Sequence, residues 1–230
     1  MIISKRPNIF KRTKLNRFKN KYSHLYPDYL QEEIDNKLFL GYTNNNDTIN
    51  QIYCYLNIVD DNINAYKGFI NILKNNFDLN KNILEIGAGN IPILIKYLEE
   101  EKINVDIVEP NIIFDNIIKG KIIKEKFTEK TNISNYDLII GYNPCQATES
   151  IIKNAIKHNK DFCIALCGCC FLPDIYTERT PIEWHKYLLD VAKKLSKDKY
   201  EVTFEYFDDK YKIEYPIIVG KCKQKILRDV

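Results

Sequence analysis

A chain of 230 residues with 45% hydrophobic residues and a net charge of +3 has enough apolar material for one sizeable core and suits a single domain. No run of 18 apolar residues occurs, and the opening MIISKRPNIFKR lacks the apolar stretch of a secretory leader, so a soluble cytoplasmic protein without a membrane partner is expected. Seven cysteines, four of them crowded into Cys163 to Cys170, argue against a disulfide framework and for a reducing compartment.

The net charge hides an asymmetry. Lys5, Arg6, Lys11, Arg12, Lys14, Arg17, Lys19 and Lys21 meet no acid before residue 22, and these eight charges set against a total of +3 leave −5 on the remainder. A basic arm on a mildly acidic body points to an anionic partner such as RNA, with a solvated tail as the alternative. Residues 29–40 then read as a short helix, and Gly41 to Asp47 as a break rich in turn formers. Helices are expected over Thr48 to Val59 and over Asn64 to Phe77, the second with Phe69, Ile70, Leu73 and Phe77 on one face.

From Asn82 to Asn111 the sequence NILEIGAGNIPILIKYLEEEKINVDIVEPN reads as strand, glycine turn, helix and a second strand ending in an acid. Ile83, Leu84 and Ile86 make a short buried strand, and Gly87 and Gly89 let the backbone turn and approach a ligand. Pro92 sits where a helix begins, and Ile91, Leu94, Ile95 and Leu98 follow at helical spacing. Val105, Ile107 and Val108 form the next strand, with Glu109 at its carboxyl end, where an acid can accept both hydroxyls of a ribose. This is the outline of half a Rossmann-type nucleotide-binding unit.

Further on, a helix is expected over Ile112 to Ile118, a third strand over Gly120 to Phe127, a fourth over Tyr136 to Tyr142, a helix over Thr148 to His158 and a fifth strand over Phe162 to Leu166. Thr180, Pro181 and Glu183 form a capping box for a helix running to about Leu195. Val202, Phe204 and Tyr206 alternate as in a strand, and Tyr215 to Lys221 offers a last one. The expected architecture is a Rossmann-like three-layer α/β sandwich. Its seven-stranded sheet is mostly parallel, has an antiparallel C-terminal hairpin and is preceded by N-terminal helices. Residues 1–79 would carry the arm and those helices, and residues 80–230 the nucleotide-binding core of the same domain.

These residues resemble the class I S-adenosylmethionine-dependent methyltransferases, over about residues 64 to 222. That family shows an acid, a variable residue and Gly-x-Gly at the end of its first strand, which Glu85, Ile86, Gly87, Ala88 and Gly89 match, while Glu109 matches its second-strand acid. The resemblance implies S-adenosylmethionine as cofactor and methyl transfer as activity. It implies that Glu85 organises the site, that Gly87, Ala88 and Gly89 line the methionyl and ribose portion, and that Glu109 holds the ribose hydroxyls. Pro110 or Asn111, Phe127 and Thr128 would flank the adenine. The family's third glycine is replaced by Ile91. A dinucleotide dehydrogenase is the competing reading, but Pro92 stands where its fingerprint wants a small residue, and Glu85 would bring negative charge near a pyrophosphate.

The ligand crevice of an open α/β sheet lies at the carboxyl ends of its strands, so Gly141 to Gln146, ending the fourth, is where the chemistry is expected. Asn143 and Pro144 resemble the start of the Asn-Pro-Pro-aromatic motif of amino-group methyltransferases, which implies an amide oxygen accepting from a target NH2. Pro144, Cys145 and Gln146 resemble the Pro-Cys-Gln of cytosine-C5 methyltransferases, in which a thiolate attacks C6. RNA members of that class use a cysteine at the end of strand five, where Cys167, Cys169 and Cys170 lie. Asn143 to Glu149 with Cys169 and Cys170 is similar to methyltransferase groups thought to act on RNA. Asn143 and Cys145 are therefore the candidate catalytic residues, with Asn143 also beside the cofactor. Cys167 and Cys170 form one C-x-x-C, which reads either as half of a zinc site that only Cys145 or His185 could complete or as a redox pair, and no metal is expected. Tyr142, Phe171, Tyr176 and Trp184 are candidates for stacking an acceptor base. RNA or another nucleic acid is the favoured acceptor. Small-molecule methylation, another S-adenosylmethionine-dependent group transfer and a non-catalytic binding subunit are the alternatives.

Overall fold

A computed structural model describes residues 63–89, 92–112, 118–167, 181–208 and 215–223. The basic arm, the helices expected over residues 29–40 and 48–59, most of the helix expected over Ile112 to Ile118, and Ile91, Cys169, Cys170, Phe171 and Tyr176 lie outside the described residues.

The described chain runs α1 (Ile63–Asn76), β1 (Ile83–Ile86), α2 (Ile93–Glu100), β2 (Val105–Val108), β3 (Ile122–Ile123), β4 (Leu138–Tyr142), α3 (Thr148–Lys157), β5 (Asp161–Ala165), α4 (Pro181–Ser196), β6 (Tyr200–Glu205) and β7 (Ile217–Cys222). Its seven strands make one sheet in the order β3-β2-β1-β4-β5-β7-β6. All pairings from β3 to β5 are parallel, and β7 is antiparallel to both β5 and β6. This is the Rossmann-like arrangement with a C-terminal antiparallel hairpin that the sequence implies. Boundaries differ from expectation by a residue or two at most elements, as helix and strand ends do.

Period-two alternation divides the side chains of the central strands between two cores. Ile83, Val105, Ile107, Leu138, Ile140, Cys163, Ile217 and Val219 face one side and pack with Phe69 and Leu73 of α1 and Leu94, Ile95 and Leu98 of α2. Leu84, Ile86, Val108, Ile139, Phe162, Ile164 and Ile218 face the other and pack with Ile151 and Ile152 of α3 and Trp184 and Leu188 of α4. Helix, sheet and helix thus form three layers. No helix among the described residues is long and apolar enough to cross a membrane.

The third strand departs from its expected span of Gly120 to Phe127 and consists of Ile122 and Ile123 alone. Its start is displaced because Gly120 lies against the Val105 carbonyl, where a Cβ would come within 1.9 Å of the oxygen. The Asp106 carboxylate then takes the Lys121 N–H at 2.8 Å. After Ile123 the Glu125 N–H donates back to the Ile123 carbonyl at 3.0 Å, which turns the chain out of the sheet. That exit delivers Phe127 to the second core, 5% exposed.

Candidate functional site

In this strand order the chain crosses from β1 to β2 and β3 on one side and resumes at β4 on the other, so the topological switch point lies between β1 and β4. A cavity of about 470 Å3 opens at the carboxyl ends of these strands, within the range of roughly 300–1,000 Å3 usual for small-molecule sites. It is lined on the β1 and β2 side by Ile86, Gly87, Val108, Glu109 and Pro110. The loop after β3 contributes Lys126, Phe127 and Thr128, and the segment after β4 contributes Pro144, Cys145, Gln146, Ala147 and Ser150. A smaller recess of about 250 Å3, bordered by Ile95, Lys96, Glu99 and Lys119, lies beside α2 and holds none of the candidate residues.

On the β1 side the backbone leaves the sheet at Gly87 and Gly89, with φ of 76° and 77°, a region that only glycine enters without cost. Gly87 N–H donates to the Val108 carbonyl at 3.0 Å, binding the turn to β2. Glu109 is 8% exposed, and its two carboxylate oxygens accept from different backbone donors, Gly89 N–H at 3.1 Å and Asn111 N–H at 2.9 Å. Each oxygen keeps a further lone pair for a second donor. The acid is thereby fixed in orientation before any ligand arrives.

Glu85 lies deeper. It is 1% exposed on β1, on the same sheet face as Ile83 by strand alternation, and its Oε2 has no hydrogen-bond partner among the described residues. Burial, and after it the nearby Glu109, push its pKa up to about 8. Its carboxyl is therefore protonated at neutral pH, and a cationic group close by would favour the ionised form. Glu85 does not line the cavity, nor do Ala88, Gly89 and Asn143. Ala88 packs against the first core, and Gly89 reaches the site through its N–H on Glu109. Pro92 stands immediately before the first helical residue, as the N-cap of α2, without a side-chain cap hydrogen bond.

The β4 side is built differently. Asn143 and Cys145 have φ of 53° and 47°, left-handed values at residues that carry side chains. Pro144 between them is buried against two glycines: a Cβ on Gly87 would lie 3.0 Å from its Cα, and one on Gly141 would lie 2.9 Å from its Cγ. Asn143 N–H donates to the Ala165 carbonyl at 2.9 Å, Ala147 N–H to the Pro144 carbonyl at 3.0 Å, and Thr148 Oγ1 to the Cys145 carbonyl at 2.7 Å. These contacts hold the backbone where it would not otherwise rest. The Asn143 side chain is exposed beside the cavity, and Cys145 is half-buried in its wall.

Cys145 Sγ lies 3.6 Å from the Sγ of buried Cys167, two residues past β5. The Cys167 carbonyl in turn meets buried His185 Nε2 of α4 at 2.9 Å. The loop carrying Phe127 and Thr128 is anchored from below by Asn154 of α3, fully buried, whose Nδ2 donates to the carbonyls of Thr128 and Thr131 at 3.3 and 2.9 Å.

Of the aromatic residues considered for stacking an acceptor, Tyr142 and Trp184 are not brought together. Tyr142 packs on α1, its ring 4.6 Å from Tyr66 and 5.6 Å from Phe69, and burial raises its pKa to about 12. Trp184 belongs to the core on the other sheet face and stacks on Tyr187 at 5.4 Å. The sheet separates them. Lys126, Ala147 and Ser150 join the cavity without having been expected there. Ala147 lies inside the Asn143 to Glu149 motif, and Ser150 lies just beyond its end, so these two carried a signal and Lys126 did not.

No protein-family model matches the sequence, and no curated protein matches it. Similar solved structures include a SAM-dependent methyltransferase from Aquifex aeolicus, at 12% identity and a TM-score of 0.47 over 70% of this chain and 92% of that one. The CcbJ methyltransferase from Streptomyces caelestis is 13% identical, with a TM-score of 0.44 over 70% of this chain and 89% of its own. Magnesium protoporphyrin IX methyltransferase from Synechocystis PCC 6803, solved with bound SAM, is 12% identical, with a TM-score of 0.39 over 92% of this chain and 91% of its own.

Proposed function

We propose that the protein is an S-adenosylmethionine-dependent methyltransferase. The observation that carries this reading is Glu109: an acid ending the second strand, oriented by two backbone N–H groups, in a cavity entered over a left-handed glycine turn. The residues present fit such a cofactor. Glu109 has lone pairs left for both ribose hydroxyls, and Gly87 provides close backbone approach. Phe127 and Pro110 offer apolar surface to an adenine, and the buried carboxyl of Glu85 lacks a described partner while lying near Glu109. When bound, S-adenosylmethionine supplies a methyl group on a sulfonium, open to in-line displacement. The chain's own task is then to orient an acceptor and keep water from the reacting atoms. Pro144, locked between Gly87 and Gly141, fixes where the acceptor wall stands relative to the glycine turn.

The acceptor we favour is RNA or another nucleic acid, on the strength of the eight uncompensated basic residues before residue 22. Isothermal calorimetry with S-adenosylhomocysteine tests the cofactor: binding is expected, and no measurable binding at millimolar ligand overturns it. Removal of residues 1–21 tests the acceptor. RNA retention should weaken and lose much of its salt dependence, and unchanged retention would discard this partner.

A second reading has its own observation. Pro144 and Cys145 follow β4 with a second cysteine, Cys167, in sulfur contact, which favours attack of a thiolate on C6 of a cytosine over hydrogen bonding to an amino group. Cys145 is the nucleophile on this reading, because it faces the cavity and Cys167 is buried. RNA containing 5-fluorocytosine should then trap a covalent adduct that Cys145→Ser abolishes. Turnover in Cys145→Ser would exclude it.

A further inference from the structure

Cys145 and Cys167 lie 22 residues apart in the sequence and are brought together because β4 and β5 are neighbours in the sheet. Their sulfurs are 3.6 Å apart, and roughly 1.6 Å of closure would reach the bond length of about 2.05 Å. Cys145 opens the short helical turn of residues 145–147, and Cys167 lies past the last residue of β5, so neither is held by a sheet ladder. The two differ in access. Cys145 is half-buried and lines the cavity, whereas Cys167 is 6% exposed and lines no part of it. Cys163 and Cys222 are buried in the two opposite cores, away from this pair, and burial pushes the Cys163 thiol well up.

We infer that Cys145 is a modification site for low-molecular-weight disulfides, with Cys167 as its resolving thiol, so that the wall of the cavity closes reversibly into a Cys145–Cys167 disulfide. This rests on the placement of the two sulfurs and not on the cofactor assignment. The first step is attack of the Cys145 thiolate, its proton lost to solvent, on one sulfur of oxidised glutathione. The glutathione S–S bond breaks, one glutathione leaves as a thiolate and is protonated, and Cys145 carries the other as a mixed disulfide. In the second step Cys167, deprotonated, attacks Cys145 Sγ; the mixed disulfide breaks and the second glutathione leaves as a thiol. Two protein thiols are oxidised by two electrons, and one small disulfide is reduced to two thiols. The order is dictated by access, since only Cys145 meets solvent through the cavity.

The oxidised pair removes the thiol from the cavity wall and ties the segment after β4 to the end of β5. Gly87 and Gly89 follow β1 and Glu109 follows β2, and their hydrogen bonds involve neither cysteine. Oxidation should therefore act on the acceptor wall and spare the β1 and β2 side.

The test is peptide mapping by mass spectrometry under non-reducing conditions after incubating the full chain with oxidised glutathione. A cross-linked pair of peptides joining Cys145 to Cys167 is expected, 2 Da lighter than the sum of the reduced peptides and restored by dithiothreitol. Alkylation of Cys145 by iodoacetamide should fall at least tenfold in parallel. The Cys169→Ser, Cys170→Ser double variant should form the same cross-link, and Cys167→Ser should instead accumulate stable glutathione on Cys145. A permanent mixed disulfide at Cys145 in the unaltered chain, a cross-link from Cys145 to Cys169 or Cys170, or no oxidation of Cys145 would each overturn the inference. If S-adenosylhomocysteine binds the reduced chain, its affinity should change by less than threefold on oxidation. Absence of that binding would sink the cofactor assignment and leave the cross-link result standing.

Discussion

The two halves of the cavity are made by opposite means. At the ends of β1 and β2 the chain uses backbone: glycines take the left-handed turns, and amide N–H groups set the orientation of Glu109. At the end of β4 it uses side-chain-bearing residues in the same left-handed region, at Asn143 and Cys145; about 1 kcal/mol or more is expected at Cys145 and less at Asn143, because asparagine enters this region more readily. Glycine at these two positions would have avoided that cost and would have removed the amide and the thiol. The difference separates a turn set by backbone groups from one that carries an amide and a thiol side chain on left-handed backbone.

Gly87 belongs to both halves, so altering it should have the largest effect. Gly87→Val meets a φ of 76° and places carbon 3.0 Å from the Pro144 Cα, and S-adenosylhomocysteine affinity should fall more than 100-fold with a lowered melting temperature. Unchanged affinity by calorimetry would show that the halves do not meet there.

Glu109→Ala confines the damage to one half. Loss of charge-assisted hydrogen bonds worth about 1.5–3 kcal/mol should weaken S-adenosylhomocysteine roughly 10- to 100-fold. The alkylation rate of Cys145 should stay within twofold, and a larger change would break the division.

Glu85 sharpens the β1 side through pH. Its carboxyl keeps a proton in the folded chain up to about pH 8 but loses it near the ordinary carboxyl value when unfolded. Its stabilising contribution is therefore complete below that ordinary value and is lost as pH rises towards 8. In ligand-free protein, Glu85→Gln should gain on the parent as pH rises from 5 to 8, by roughly 1.4 kcal/mol per pH unit at most. Parallel denaturation curves at every pH would refute a raised Glu85.

The smallest effect has the opposite sign. Asn143→Gly relieves a left-handed φ and should leave stability unchanged or raise it by about 0.5 kcal/mol, while acceptor-dependent turnover falls. A clear destabilisation in urea would mean that the asparagine is held there for folding.

Much of the β1 and β2 half was legible because it is local. Four apolar-flanked residues, two glycines and an acid after the next strand specify a turn and a carboxylate with no knowledge of the rest of the chain. The third strand was overread because Lys124, Glu125 and Lys126 follow two isoleucines without a turn residue. A single backbone hydrogen bond from Glu125 to Ile123 ends it. The β4 half was legible only as a motif. Whether Cys145 faces Cys167, and whether Pro144 touches Gly87, depends on β4 lying between β1 and β5, which no spacing within residues 141–149 encodes. Asn154 shows the same limit: it reads as a polar residue on a helix, yet it is fully buried beneath the Thr128 loop.

Pro144 occupies the space that a methyl group on either Gly87 or Gly141 would need. The three positions share one volume, so a change at one bears on the others. A loop spanning residues 143–147 taken from another scaffold will seat only where both glycines are already present. A change from glycine at 141 calls for a smaller residue at 144 in the same step, whereas at Gly87 the nearest atom is the Pro144 Cα and the φ of 76° remains, so no residue at 144 accommodates a side chain there. The segment after β4 and the glycine turn after β1 are therefore not interchangeable parts, and a library that varies one should vary the other with it.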